Sequence, residues 1–221
     1  MAALAALPRD AALGRPTSTC LTPVEPYRED LADYLAKIHK LIEPAVNPFL
    51  QMRVDPSFDA DYSVALHSSP DVFSWAEAKQ FFVTHYLADR NIGYSLSKYH
   101  DGKDEEVSVA VTSAELPRQL ADRVHAAWIR MLLRTRYPDP DEFVLRADPT
   151  TIEFSCRRNT GALYAKAYEP VECKDSSLLI QLGFSLINYC HTPEDKRAAA
   201  LKLIEKAAGA VEAYLKQHGR A

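Results

Sequence analysis

The seven histidines are the residues of this chain best suited to acid–base or metal chemistry, and their spacing disfavours a local site. No histidine lies three or four residues from another, so the sequence contains no short zinc signature of the H-E-x-x-H type. The histidines are His39, His67, His85, His100, His125, His191 and His218. The sequence therefore predicts neither a metal site nor a cofactor, and we expect His85 and His125, which fall within predicted helices, to be structural.

Cys190 and His191 are adjacent, which raises the prospect of a catalytic pair because a reactive thiolate needs a neighbouring base. Consecutive helical side chains point about 100° apart, however, so these two diverge. Both also end a predicted helix, where the helix dipole disfavours a thiolate. We interpret Cys190 as a buried thiol. The reduced state is expected for all four cysteines, although they allow three disulfide pairings; they are Cys20, Cys156, Cys173 and Cys190.

Glycine is scarce in this sequence, with 7 Gly against 14 Pro in 221 residues. No two glycines lie closer than nine residues. Phosphate loops, dinucleotide-binding loops and the nucleophile elbow each need two or more glycines within about eight residues, so all three motifs are excluded. The acidic run from Asp55 to Asp61 also lacks the central glycine of a calcium loop, which favours a solvated linker.

Composition and charge indicate a globular protein of average type. Hydrophobic residues make up 47% of the chain and charged residues 25%, and the net charge of −4 disfavours nucleic acid as a partner. No apolar stretch approaches the ~18 residues of a membrane span, and the N-terminus lacks the basic region of a signal peptide. We expect a cytoplasmic protein with a mobile leader over 1–24 and a single domain over 25–221.

The order of the predicted elements is that of a ferredoxin-like β-α-β-β-α-β sheet. They are a strand over 61–67, a helix over 75–90, strands over 92–96 and 107–111, a helix over 114–136 and a strand over 143–146. A capping box at Ser74–Glu77 predicts the start of the first of these helices, and Asp101-Gly102 predicts the turn between the two middle strands. A further helix over 26–42 precedes this unit.

A second hairpin and two helices are predicted to extend the α+β fold. Pairing Cys156 with Leu163 and Phe154 with Ala165 sets a large residue opposite a small one across a turn ending at Gly161. The helices are predicted over 176–190 and from Thr192 onward, and the glycines inside them, Gly183 and Gly209, indicate close helix packing.

Two surface patterns favour binding. Arg123, Arg130 and Arg134 lie within about 40° of one another on the predicted helix over 114–136, as either a solvent-facing stripe or a contact for an acidic partner. The second pattern is the outer face of the last hairpin, with Arg157, Tyr164, Lys166 and Tyr168. Exposed Tyr and Arg are enriched at interface hot spots, although an amphipathic strand beneath another helix would show the same pattern.

These surfaces and the lack of a catalytic motif favour a non-enzymatic protein-binding domain. An inhibitor, such as a bacterial immunity protein that blocks a toxin or another enzyme, has this character. Two alternatives stay open: a hydrolase or transferase with a site dispersed in sequence, and a small-molecule sensor or carrier. A pocket that joins a histidine to a carboxylate would favour the enzyme, and thermal stabilisation by a small molecule would favour the carrier.

Overall fold

A six-stranded antiparallel sheet backed by three helices forms the described part of the chain. The computed structural model describes residues 21–24, 36, 40–42, 47–95, 107–137, 150–169 and 173–218. The strands are β1 (Leu50–Asp55), β2 (Tyr62–Ser69), β3 (Gln80–Ala88), β4 (Val109–Leu116), β5 (Thr151–Arg158) and β6 (Gly161–Tyr168). The helices are α1 (Arg118–Leu132), α2 (Lys174–His191) and α3 (Arg197–His218), with short helical turns at Trp75–Glu77, Ile92–Ser95 and Glu194–Lys196.

The strands lie in the order β4-β3-β2-β1-β5-β6, so two locally connected units share one sheet. The first four strands form a meander, and the hairpin of β5 and β6 joins it along β1. The predicted α+β class, with its antiparallel sheet and two C-terminal helices, is confirmed. The ferredoxin-like order is not confirmed, because four strands in the described residues precede the first long helix.

The predicted helix over 75–90 is wrong, since this segment contributes β3. Only one 3₁₀ turn, Trp75–Glu77, follows Ser74, whose side chain makes no capping hydrogen bond. In β3, Phe81, Val83 and His85 alternate inward with a period of two, and aromatic and β-branched residues favour a strand. This period outweighs the capping signal.

The predicted pairing of 92–96 with 107–111 is also wrong. Ile92 lies in a helical turn, and Val111 pairs with Tyr86 of β3. Alternation correctly marked Val109 and Val111 as strand residues, but it carried no information about the partner strand. The Asp101-Gly102 turn, the strand over 143–146 and most of the helix over 26–42 lie outside the described residues.

The last hairpin is confirmed residue by residue. Cys156 pairs with Leu163 and Phe154 with Ala165, as the alternation predicts. Gly161 closes the turn with a φ of 130°, a conformation that residues with a Cβ rarely adopt. The apolar face of the hairpin packs under α1, where Trp128 lies edge-on to Phe154 and donates a hydrogen bond to the Ser155 carbonyl at 3.1 Å.

The three helices cover one face of the sheet and enclose the main core. The helical spacing of apolar residues in 114–136 predicts an inner stripe of Leu116, Leu120, Val124, Ala127 and Met131. The last four are buried on α1, whereas Leu116 is buried at the end of β4. The helix begins after Pro117 rather than at residue 114, because the residues from Ser113 to Leu116 complete β4. In α2, Gly183 lies directly over the fully buried Met52 of β1, so the predicted close packing is found at this glycine.

The opposite face of the sheet carries polar groups that are largely buried. Arg53, which is 5% exposed, makes ion pairs with Asp55 at 3.1 Å and with Glu153 of β5 at 2.8 Å. Ser63 donates a hydrogen bond to the Ile42 carbonyl, and Ile42 packs in a small apolar cluster with Ala88 and Ile92. The chain near Ile42 therefore covers part of this face.

The described end of the predicted leader is attached to β6. Leu21 is fully buried, and Thr22 exchanges two backbone hydrogen bonds with Lys166, at 2.9 and 2.8 Å. Residues 1–20 lie outside the described part of the chain.

The three cysteines in the described part of the chain divide into two kinds. Cys156 and Cys190 are free and buried, as expected. Cys173, at the start of α2, is disulfide-bonded, which corrects the expectation that it is reduced. The sequence offered no distance between sulfur atoms, so it could not separate the two states.

Candidate binding cleft

A cleft opens at the end of the sheet where the β5–β6 turn lies beside α1. Its volume is about 290 Å³. The walls are aromatic and apolar, the rim is polar, and the lining residues are Phe49, Phe73, Trp75, His125, Ile129, Arg157, Arg158, Asn159 and Thr160. Two of these nine residues are arginines and none is acidic, so the cleft is locally positive in a chain whose net charge is −4.

Arg157 is held between two aromatic rings. The centre of its guanidinium lies 4.8 Å from the ring centroid of Phe49 and 4.8 Å from that of Phe73. Nη2 donates to the Val72 carbonyl at 2.9 Å. Nε and Nη1 are buried with no hydrogen-bond partner among the described residues. Buried polar groups are nearly always paired, so these two nitrogens are candidates for an acceptor outside the described residues, such as a water or a ligand.

Trp75 and His125 form the neighbouring wall. Their rings are stacked, with centroids 3.8 Å apart and an angle of 4° between the planes. The indole Nε1 of Trp75 donates to Asp122 of α1 at 2.8 Å, and Arg118 donates to the same carboxylate at 3.2 Å. The 3₁₀ turn is thereby fixed on α1, which fixes the aromatic wall of the cleft.

His125 is neutral at pH 7. Burial lowers its pKa from 6.5 to about 4, against a smaller raising effect of its hydrogen bond to the Arg157 backbone. Nε2 is buried and has no partner among the described residues, so we assign the hydrogen bond to the Arg157 backbone, and the ring proton, to Nδ1. The cleft thus presents guanidinium donors from Arg157 and an acceptor lone pair from His125.

The three predicted arginines, two on α1 and Arg134 just after its end, do not form a free stripe. Arg123 makes a bidentate ion pair with Glu212 of α3, with Nη2–Oε2 at 2.9 Å and Nε–Oε1 at 3.2 Å. The hydrogen bonds to Glu212 raise the pKa of the Arg123 guanidinium. Arg134 donates to the His218 carbonyl at 2.9 Å and lies over Tyr214. Arg130 is exposed. Two of the three side chains therefore contact α3 within the chain.

The predicted residues of β6 lie on the sheet face away from the helices. Tyr164 is 59% exposed, and Lys166 lies opposite Glu153 with its Nζ 5.7 Å from the ring centre of Tyr168. Arg157 is thus the one predicted binding residue that lines the aromatic cleft.

Sequence reasoning missed the aromatic residues of the cleft. Phe73 immediately precedes the segment predicted as a helix, and Trp75 is its first residue. Phe49 lies in the connector before β1. The sequence signal for these residues was the pair of aromatic residues, Phe73 and Trp75, on either side of Ser74 in the short segment after Pro70. Arg157 was assigned to a surface, and its contacts with Phe49 and Phe73 depend on the tertiary fold.

The Cys190–His191 pair has no catalytic geometry. The thiol of Cys190 donates to the Val83 carbonyl at 3.3 Å, and burial raises its pKa to about 12. His191 instead meets His85, with Nε2 and Nδ1 2.9 Å apart. The interpretation of Cys190 as a buried thiol beside a helix-ending histidine is confirmed. In the described ranges, no group of three or more His, Cys, Asp or Glu side chains could hold a metal ion.

Comparison with protein-family models, curated proteins and solved structures finds no match to this chain. Among the helices that the structure describes, none combines the length and apolar character needed to cross a membrane.

Proposed function

We propose that this chain is a non-enzymatic protein-binding domain of the inhibitor or immunity type, and that it holds its partner at the aromatic cleft. The observation that carries the proposal is Arg157, fixed between two rings with two unpaired nitrogens. Arginine and aromatic residues dominate the energetic centres of interfaces, where they fill desolvated pockets. Phe73, which is 71% exposed, provides the accompanying apolar surface.

The proposal is tested by affinity capture at physiological salt from cells that naturally express the chain. We expect one protein to be retained in stoichiometric amount and to re-form the complex when both proteins are purified. Arg157→Gln should weaken that complex at least tenfold, because loss of a central arginine typically costs 2 kcal/mol or more. Arg136→Gln, a change of the same type at an exposed position outside the cleft, is the matched control. Recovery of no stoichiometric protein would contradict the function.

A second cleft supports the small-molecule carrier as a second candidate. It lies at the opposite end of the sheet, has a volume of about 630 Å³ and is lined by Ser57, Phe58, Asp89, Arg90, Asn91, Tyr94 and Ser95. This size falls within the range of small-molecule sites. A compound at 100 times its dissociation constant would add about 2.7 kcal/mol to the free energy of unfolding, which a thermal-shift screen detects. Loss of that shift in Tyr94→Ala would assign the compound to this cleft.

We also propose a cytoplasmic and bacterial setting. The oxidation state of Cys173 in the native cell tests the cytoplasmic location. Disulfides are typical of oxidising compartments and rare in the cytosol. If the protein works in the cytoplasm, alkylation of the denatured protein, trapped directly from its native cells, should label all four cysteines. If Cys173 is oxidised in the cell, mass spectrometry should find label on Cys156 and Cys190 but not on Cys173. That second result would contradict a cytoplasmic location.

A further inference from the structure

We infer that the aromatic cleft binds the carboxy-terminal residue of the partner protein, with the terminal carboxylate on Arg157 and the apolar side chain against the aromatic wall. The inference rests on the proposed function and specifies its chemistry. Three observations carry it: the nitrogens of Arg157 that have no partner in the described part of the chain, the lack of acidic residues among the described lining residues, and the small volume of the cleft.

The charge and geometry of Arg157 select a carboxylate. A guanidinium presents its N–H groups in a planar fork that matches the two oxygens of a carboxylate, and such bonds are about twice as strong as neutral ones. Nη2 is already used on the Val72 carbonyl, which anchors the fork. Nε and Nη1 lie on different edges of the guanidinium, so one of them forms the fork to the ligand together with the second N–H of Nη2. Arg158 on the rim adds a second positive charge to the cleft.

The size of the cleft limits its occupant to about one residue. A volume of about 290 Å³ lies at the lower end of ligand sites. The apolar walls and the arginine share this small space, so a ligand must carry an apolar group and a carboxylate close together. A carboxy-terminal residue has both groups on one Cα. An internal Asp or Glu places its carboxylate at the tip of its own side chain and leaves the apolar wall unfilled.

Phe73 controls access to the guanidinium. Its ring covers one face of Arg157, yet the side chain is 71% exposed. The ring can therefore turn away at the cost of one exposed cation–π contact and then close over a bound residue. Phe49 on the other face is 1% exposed and stays in the core, so it keeps Arg157 in place.

Three single-residue compounds test the inference. N-acetyl-phenylalanine carries the terminal carboxylate, N-acetyl-phenylalaninamide lacks it, and N-acetyl-glutamic acid α-amide carries it on the side chain. The chain has only two tryptophans, whose indole N–H signals are resolved by ¹H–¹⁵N NMR. Trp75 lines the cleft, whereas Trp128 is fully buried between α1 and the sheet. Trp128 is therefore an internal control.

We expect N-acetyl-phenylalanine to shift the Trp75 signal saturably, with a dissociation constant on the order of 1 mM for so small a ligand. The amide and the glutamate compound should bind at least tenfold more weakly. Arg157→Gln should lose at least tenfold in affinity, and Arg136→Gln, at an exposed position outside the cleft, should stay within twofold of the unmodified protein. Phe73→Ala should lower the affinity for N-acetyl-phenylalanine several-fold. Because Phe73 is exposed, this variant should fold, and it keeps the test decisive if Arg157→Gln does not.

Several outcomes would overturn the inference. They are an unmoved Trp75 signal at 50 times the expected dissociation constant (about 50 mM), equal binding of the amide, or tighter binding of the glutamate compound. The captured partner separates this failure from failure of the function. If amidation of the partner's terminal carboxylate leaves a stoichiometric complex unchanged, the terminal residue is not the ligand while the binding function stands.

Discussion

Acidification from pH 7 to pH 4 is expected to lower the free energy of unfolding by several kcal/mol, chiefly through the buried His85 and the partly buried His125. Burial lowers the pKa of His125 from 6.5 to about 4, and burial and His191 lower the pKa of His85 to about 4. A depressed pKa means that the folded state resists protonation. The stability from each neutral histidine is present above pH 6.5 and is lost as the pH falls towards 4, at a cost of about 3 kcal/mol each.

Asp55 opposes this effect. Burial raises its pKa from 3.8 to about 6, despite the nearby Arg53, so the folded state takes up this proton more readily than the unfolded chain does. The stability that it contributes is therefore present below pH 3.8 and lost as the pH rises through 6. Because its side chain is 28% exposed and paired with Arg53, we expect it to offset only part of the histidine effect.

Urea unfolding at pH 7 and pH 4 measures this difference. His125→Gln should reduce the loss between the two pH values by about 3 kcal/mol, because the amide takes up no proton over this range. His218→Gln is the matched control, since His218 is exposed at the end of α3. An equal loss in the unmodified protein and in a His85→Gln/His125→Gln double variant would assign acid sensitivity to other groups.

Alanine at the two interior helix glycines should have opposite effects. At Gly209 a new Cβ would lie 3.8 Å from the nearest atom outside its own helix, Nη2 of Arg123, which is an ordinary contact. Gly209→Ala should therefore stabilise the protein by up to about 1 kcal/mol through helix propensity. At Gly183 the same Cβ would overlap Sδ of Met52 and lie 2.6 Å from its Cε. Overpacking of this kind costs about 1–3 kcal/mol, so Gly183→Ala should destabilise.

The two variants are compared by chemical unfolding at one pH. The overlap at Gly183 is with the end of a flexible side chain, so Met52→Val should relieve it. We expect Gly183→Ala to cost less in the Met52→Val background, giving a coupling energy of about 1 kcal/mol. A Gly183→Ala protein at least as stable as the unmodified one would show that α2 and β1 do not approach as closely as the structure has them.

Local sequence signals predicted those parts of the fold that local geometry decides. The β5–β6 register follows from alternation and from Gly161, whose φ of 130° fixes the turn. The helix prediction for Gln80–Ala88 was wrong because the capping signal at Ser74 was given more weight than the alternation of Phe81, Val83 and His85. The pairing of Val111 with Tyr86 was beyond reach, since alternation reports which face of a strand is buried but not which strand lies beside it.

The candidate site shows the same division. Arg157 could be singled out from its place on an amphipathic strand. Its neighbours in space come from distant segments, since Phe49, Trp75 and His125 reach it only through the sheet and α1. The stripe of α1 arginines illustrates the reverse case, because helical periodicity correctly grouped Arg123 and Arg134 but could not show that α3 lies beside them.

The seam between β1 and β5 has a consequence for the order in which the chain folds. Each half of the sheet is built from near neighbours in sequence, whereas Arg53 meets Glu153 across a separation of 100 residues. Closing a loop of that length costs roughly 4 kcal/mol of chain entropy before any contact is made. Because non-local contacts form more slowly than local ones, we expect the meander and the hairpin to form before the seam between them. The ion pair between Arg53 and Glu153 helps to fix the register of β1 against β5. A slip of one residue would separate the two side chains and turn the apolar face of the hairpin away from α1.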